Sequence, residues 1–529
     1  MIKELLRQAE SGGSLWLPDL RESFASSIGA RKAIVRLLGS TGSSRDYELF
    51  FPPADGAEEE AFLLRYAAAN VYNILSAFSG QEVKIYCEDD LFPLLSALPA
   101  LFDDPEGLGK VRNIARRIHG DFRISLSQLC DCSPIIGPQP SQAVDLPERL
   151  RALAAAADEK SCVGVDIGGS DIKLAASVRG KLIATKEYDW NPASSPRVEG
   201  IIEPILELIR EAGEQIVKAG GELDAVGVSF PDIVLNDRIV GGETPKTKAM
   251  RENRELDYER EFARLSDLRS LILPLCAPGA QVHLTNDGNM AAFTAAVELA
   301  AGGEDEQIRG GVIAHSLGTD LGTGWLQADG TIPAFPLELY DLLLDMGDYP
   351  SAALPPEDLR STRNENSGMN GVRRYLGQAA AYRLAWKRDP KLLDGFAIRR
   401  SEDLIVPTEP EDLRKPCLEH LMELAAQGDP EAEQVFREIG ENLSVVMREM
   451  NWLFGETPPL RILFGRFVKS RRCFELLCEG FEKGETGISL ITADEELANT
   501  SLMKQLARMP GVTVAQFAQA VGSIYYALT

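Results

Sequence analysis

Short apolar runs bounded by polar stretches punctuate the first 150 residues. They predict strands at Lys32–Leu38, Tyr47–Phe51 and Val83–Cys87. Between them Phe62, Tyr66, Ala69 and Ile74 recur near helical spacing, which predicts a helix over Glu58–Phe78. Leu91–Phe102 reads as a short apolar helix broken by prolines. Residues 1–145 thus read as a separate α/β unit without a ligand motif. Ser133–Pro147, with four prolines, predicts a linker, and the acidic helix Leu146–Glu159 leads out of it.

A second pattern begins near residue 160. Cys162–Ile167, Ile172–Val178 and Lys181–Tyr188 predict strands, with Arg179-Gly180 as a hairpin turn. Ile201, Ile202, Ile205, Leu208, Ile209 and Ala212 mark one face of a helix. Ala225–Phe230 is a predicted strand stopped by Pro231, Val282–Thr285 a short one, and Asn289–Leu299 an Ala-rich helix. Gly428-Asp429-Pro430 opens a helix, with Asp at the N-cap and Pro in the first helical position. Leu460–Phe464 is a strand ending at Gly465, and Ala515–Leu528 a final helix.

Part of this pattern repeats. Asp166-Ile-Gly-Gly-Ser-Asp-Ile-Lys, followed by Arg179-Gly180, resembles Ser316-Leu-Gly-Thr-Asp-Leu-Gly-Thr, followed by Asp329-Gly330, at a constant offset of 150 residues. In each copy an apolar strand enters a Gly-rich turn, a second strand leaves it, and a Gly turn follows. Equivalent turns in two lobes would face each other across a cleft, which predicts lobes over 160–300 and 301–529.

The formal net charge of −25 disfavours nucleic acid and anionic membranes as partners. The opening Met1-Ile2-Lys3-Glu4-Leu5-Leu6 does not read as a signal peptide, and no run of about 18 apolar residues occurs. A cytoplasmic location is the expectation. The eight cysteines are scattered, with Cys130-Asp-Cys132 the closest pair, and the four histidines lie far apart in sequence. Neither disulfides nor zinc is expected.

Two turns carry chemistry. Asp166-Ile-Gly168-Gly169-Ser170 suits phosphate, because glycines let backbone N–H groups approach an anion. Asp166 itself repels phosphate, and makes sense if it holds Mg²⁺ through water. Gly318-Thr319-Asp320-Leu321-Gly322-Thr323-Gly324 would complete the cradle. Asn286-Asp287-Gly288-Asn289 lies between strand and helix. Its Asp287 reads either as an N-cap or as a base that takes a hydroxyl proton during phosphoryl transfer.

These segments, with Ala425-Ala-Gln-Gly-Asp-Pro430 and Arg461-Ile-Leu-Phe-Gly465, resemble in sequence and order the ROK family of sugar kinases and repressors. The resemblance covers patches of residues 160–529. It implies a duplicated, two-lobed actin/hexokinase-type (ribonuclease H-like) ATPase fold beside the N-terminal α/β unit. It further implies ATP with Mg²⁺, phosphorylation of a sugar or polyol hydroxyl, and a homodimer as relatives often form. By family position Asp287 is the base and Asn286 a sugar contact. Glycines 168, 169, 318, 322 and 324 line the phosphates, with Ser170, Thr319 and Thr323 beside them, and Gly465 lies near adenosine. The chain departs from the family in four places. Asn366–Gly371 stands where a zinc-binding Cys/His cluster is common. No Glu-x-Gly-His motif is present, leaving Glu338 to supply its glutamate. The loop Gly241–Lys248 lacks the usual Asn, and Arg466 replaces a glycine. Three functions follow in order: a carbohydrate kinase, a nucleotide- or sugar-binding sensor or scaffold, and a DNA-binding repressor, the last disfavoured by charge.

Overall fold

The computed structural model describes residues 1–529 except 41–42, 105–106, 135–143, 243, 319, 348–369, 397, 401–404, 408–413, 456 and 493–496. Thr319, most of the 133–147 stretch and residues 366–369 lie outside the described residues.

The N-terminal unit comprises α1 (Ile2–Glu10), α2 (Leu17–Ala25), β1 (Arg31–Leu38), β2 (Ser44–Phe51), α3 (Ala57–Phe78), β3 (Glu82–Cys87), α4 (Lys110–His119) and β4 (Arg123–Gln128). Its sheet has the order β2-β1-β3-β4, antiparallel except for the β3–β4 pair. The prolines divide the 91–102 segment into two separate turns, Phe92–Leu95 and Leu98–Leu101.

The next stretch contains α5 (Leu146–Ala156), β5 (Ser161–Ile167), β6 (Asp171–Val178), β7 (Lys181–Asp189), α6 (Glu199–Lys218), β8 (Ala225–Phe230), β9 (Gln281–Asn286) and α7 (Asp287–Gly302). The sheet order is β9-β8-β5-β6-β7. β5–β6–β7 form an antiparallel meander, and β8 and β9 run parallel to β5. Such a sheet is the ribonuclease H-like half of an actin/hexokinase-type fold. β5 lies at its centre and is buried except at Asp166.

A second sheet follows, built from β10 (Gly311–Leu317), β11 (Leu321–Gln327), β12 (Leu460–Phe464) and β13 (Ser489–Thr492) in the order β11-β10-β12-β13. β10 and β11 are antiparallel; β12 and β13 run parallel to β10. The fold is therefore duplicated and two-lobed. The repeat differs after its second strand. In the first copy Arg179 (φ 47°) and Gly180 (φ 72°) make a left-handed turn into β7. In the second copy the chain turns at Gly330 (φ 77°), but no third antiparallel strand joins this sheet among the described residues.

The helices of the second lobe include α8 (Gln378–Arg388), α9 (Pro430–Phe454) and α10 (Arg471–Glu482). Asp429 caps α9, accepting from the N–H groups of Glu431 and Ala432. The last helix, α11 (Val514–Tyr526), was expected with the second lobe but packs on the first sheet. Gly164 and Gly227 admit it: a Cβ on either would lie 1.9 Å from the carbonyl oxygen of Ala520 or Ser523.

The core of the N-terminal unit runs without a break into the second lobe, joining Phe24, Tyr66 and Ile74 to Leu343, Tyr382 and Met450. Arg21 and Glu449 form a buried ion pair across this contact, and Asn73 donates to the same carboxylate at 2.8 Å. No described helix is long and apolar enough to cross a membrane.

Candidate active site

The Asp287 turn sits at the seam of the lobes, and the sequence fixes it from both sides. Asn286 is the N-cap of α7: its Oδ1 accepts from the Gly288 N–H at 2.8 Å. Its Nδ2 donates to the Asp232 carbonyl in the first lobe at 3.0 Å. Asn289 Oδ1 accepts from the Trp325 N–H of β11 at 3.0 Å. The start of α7 is therefore tied to the second lobe through Asn289 and to the first through Asn286.

Gly324 makes that docking possible. A Cβ there would lie 1.8 Å from the Gly288 carbonyl oxygen and 2.5 Å from the Asn289 nitrogen. Gly324, expected to line the phosphates, makes room for the Asp287 turn. Gly324→Ala must push backbone from backbone, so a loss of about 3 kcal/mol or more is expected in urea unfolding. Thr323 also turns from its expected role, because its hydroxyl lies 3.0 Å from Nδ1 of buried His315. Burial, followed by the charge of Arg461, pushes that imidazole down to about 3.

The other glycines differ in surroundings. Gly168 donates its N–H to the Asp171 carbonyl at 2.7 Å, and its carbonyl accepts from the Trp190 indole at 3.1 Å. A Cβ on Gly168 would lie 2.9 Å from the Asp171 carboxylate. Space is open at Gly169, where the nearest atom is a Lys246 side-chain carbon at 3.9 Å. Among the described residues nothing lies within 4 Å at Gly318, and Gly322 would touch only Ser316. None of these four has positive φ, so the room left at Gly169, Gly318 and Gly322, not a left-handed turn, sets those three apart. Gly465 is the exception, with φ +94° and a virtual Cβ 2.2 Å from the Leu317 carbonyl oxygen of the second turn. Ser170 is exposed at the rim of the first turn.

Carboxylates crowd the interior. Burial, and then the charge of Asp287, pushes Asp166 up to about 6, although the Ser229 hydroxyl donates to it at 2.9 Å. Burial raises Asp287 as well, and Lys246 opposes this. Burial likewise pushes Asp232 up to about 6 against the N–H groups of Gly242 and Ile233 and the charge of Lys246. Glu338, in the second lobe, is pushed up to about 8 by burial, then by Asp341, while Lys110 opposes and Asp232 adds to the shift. Charge therefore couples Asp166, Asp287, Asp232 and Glu338 in sequence, with Lys246 between the middle two.

The raised Glu338 makes a pH prediction. Its folded form holds the proton more tightly than an unfolded chain, so its contribution to stability is complete below about 4.5 and is lost as pH rises through about 8. Glu338→Gln is thus expected to gain stability over wild type at pH 8 and to match it at pH 4.5 in urea unfolding.

Sequence reasoning left out Lys246, Asp232, Arg373 and Lys110. Arg373 makes a two-pronged contact with Asp320 of the second turn, at 2.8 and 2.7 Å, and lies 5.3 Å from the Tyr340 ring centre. Asp232 did carry a signal, as an acid immediately after the strand-ending Pro231. Among the described residues no three His, Cys, Asp or Glu side chains group as metal ligands.

The strand orders define a two-lobed ATPase-type fold. No family model matches the sequence. No curated protein matches it either. Similar solved structures include a ROK-family glucokinase from Streptomyces griseus in complex with glucose and AMPPNP, 21% identical with a TM-score of 0.43, covering 69% of this chain and 99% of that one. A ROK hexokinase from Thermus thermophilus is 17% identical, with a TM-score of 0.42 and coverage of 69% and 97%. A ROK-family transcriptional regulator is 13% identical, with a TM-score of 0.42 and coverage of 70% and 81%. These structures bear the same family name that the motifs suggested.

Proposed function

We propose that this chain phosphorylates a sugar or polyol hydroxyl with ATP, using Asp287 as the base. The observation that carries the reading is a half-buried carboxylate, raised in basicity, held at the seam between two lobes beside a second acid, Asp166. Phosphoryl transfer asks the protein mainly for positioning and charge, and Asp287 has both. The Gly288 N–H holds Oδ1 at 2.9 Å, fixing the carboxylate. Burial strengthens it as an acceptor of the hydroxyl proton, and the charge of Lys246 opposes that rise.

The open space at Gly169 and Gly318 fits phosphate against backbone N–H groups, with Ser170 and Gly322 alongside. Gly465 places the end of β12 against the second turn, where adenosine would lie. Asp166, paired with Asp287 and solvent-accessible at the end of β5, would hold Mg²⁺ through water. Bound Mg²⁺ supplies charge neutralisation on the transferring group. Asn286 and Glu338 would face the acceptor.

A sensor is the second reading. It is favoured by Lys246, which comes from the departing loop and sets a cation beside the proposed base. ADP release from ATP and Mg²⁺ across a panel of sugars and polyols tests the pair. Turnover on one acceptor supports the kinase; ATP binding without turnover on the whole panel favours the sensor.

A further inference from the structure

The N-terminal unit reaches into the Glu338 end of the site by three routes. At the C-terminal end of α3, the Ser76 carbonyl accepts from the Glu338 N–H at 3.3 Å and the Ala77 carbonyl from the Leu337 N–H at 3.0 Å. Leu337 is held there at φ +58°, a left-handed conformation that a bulky side chain adopts only when its surroundings impose it. Lys110, at the start of α4, forms a buried ion pair with Asp341 and lies 5.6 Å from the Tyr340 ring centre. Seven residues on, along the same helix face, Arg117 reaches the first lobe. It donates to the Gly241 carbonyl and to both carboxylate oxygens of Glu259, at 3.0 and 2.6 Å. Its guanidinium lies 5.2 Å from the Phe262 ring centre.

Apolar packing reinforces the second grip. Ile114 and Ile118 meet Ile233, Leu235 and Val240 of the first lobe. Gly241 adjoins Gly242, whose N–H holds the Asp232 carboxylate at 2.9 Å. One helix thus takes hold of the segment carrying Glu338 and the segment carrying Asp232. Because the unit shares its core with the second lobe, α4 acts as a rigid arm of that lobe laid onto the first.

We propose that the N-terminal unit is the third wall of the acceptor end of the cleft, with Lys110 and Arg117 as positioning residues that fix Asp232 relative to Glu338. The role in acceptor binding rests on the kinase reading; the mechanical role does not. An arm of this kind makes acceptor binding and docking of α4 mutually strengthening. Nucleotide binding, at the glycine turns, is left largely independent of it.

Charge reversal at Arg117 tests the proposal in the full chain. Spin labels on noncanonical residues replace exposed Ile28 and Val217, one in the N-terminal unit and one on α6. In wild type without ligands they are expected to give one narrow distance distribution, and in R117E a broader one. The acceptor KM is expected to rise about tenfold, the size of one lost charge-assisted hydrogen bond, with kcat little changed. The double variant R117E/E259R re-forms the ion pair but not the bond to the Gly241 carbonyl, so it is expected to narrow the distribution again and to recover the acceptor KM in part. Glu259 is 62% exposed, so E259R gives the same broadening even where R117E does not fold. An unaltered distribution in both single variants overturns the proposal, whatever acceptor the protein is found to use. Broadening with an unaltered acceptor KM overturns it as well, since the arm then holds the lobes without shaping the site. Turnover on no acceptor counts against the kinase reading alone, and the distance measurement then decides this one.

Discussion

Asp287→Asn is expected to fold like wild type and to lose turnover by on the order of 10²–10⁴-fold, the usual worth of a positioned base. The structure separates the two roles that the sequence left open for this residue. Asn286 caps α7, with its own oxygen on the Gly288 N–H. Asp287 Oδ1 meets the same N–H at 2.9 Å, and an amide oxygen in its place keeps that contact. Stability should therefore stay within about 0.5 kcal/mol of wild type, as for substitutions that break no buried network. ATP binding should also persist, and tighten slightly if anything, because one negative charge leaves the vicinity of the phosphates. Steady-state turnover on a verified acceptor, with urea unfolding as control, decides the matter. Near-wild-type turnover would remove Asp287 from the mechanism. A large loss of stability would mean that the carboxylate charge itself supports the turn, through Lys246.

The residues that could be read in advance lie where local rules and function coincide. Asp166 and Asp287 each sit at the C-terminal end of a strand, so the short apolar runs that locate β5 and β9 also locate the acids. The 150-residue offset exposed two related turns, because the strand–turn–strand unit is local in sequence. Other features depended on distant partners. A glycine within a strand reads alike whether a ligand or another backbone approaches it, so nothing in Gly324 announced Gly288. Lys110 and Arg117 meet residues 231 and 142 positions away, and no spacing rule reaches that far. The α4 helix carried a signal that went unread: Val111, Ile114, Ala115 and Ile118 follow helical spacing, and basic residues crowd its last turn. The shared core of the N-terminal unit and second lobe was not. A helix such as α3, buried along nearly its whole length, shows that it is covered but not by what.

Gly318→Val is expected to leave thermal stability unchanged while lowering nucleotide affinity by about 10- to 100-fold. The argument is one of space. Gly318 has no positive φ, so a branched side chain meets no conformational penalty of the left-handed kind. A Cβ there finds nothing within 4 Å among the described residues, so none of them has to move for it. Whatever the valine displaces must therefore be something that binds. If phosphate oxygens approach the turn closely enough to use its N–H groups, the added methyls occupy their place, at an overpacking cost of about 1–3 kcal/mol on binding. Gly169→Val, with its nearest atom at 3.9 Å, should behave in the same way from the opposite lobe. Gly168→Val should not, because its Cβ would press on Asp171 at 2.9 Å and confound stability with binding. Calorimetric titration with a non-hydrolysable ATP analogue and Mg²⁺, beside a thermal melt, separates the two effects. Full affinity in both Gly318→Val and Gly169→Val would mean that phosphate does not lie between the glycine turns. Loss of affinity in one alone would place the phosphates on that lobe and leave the other turn to a structural role.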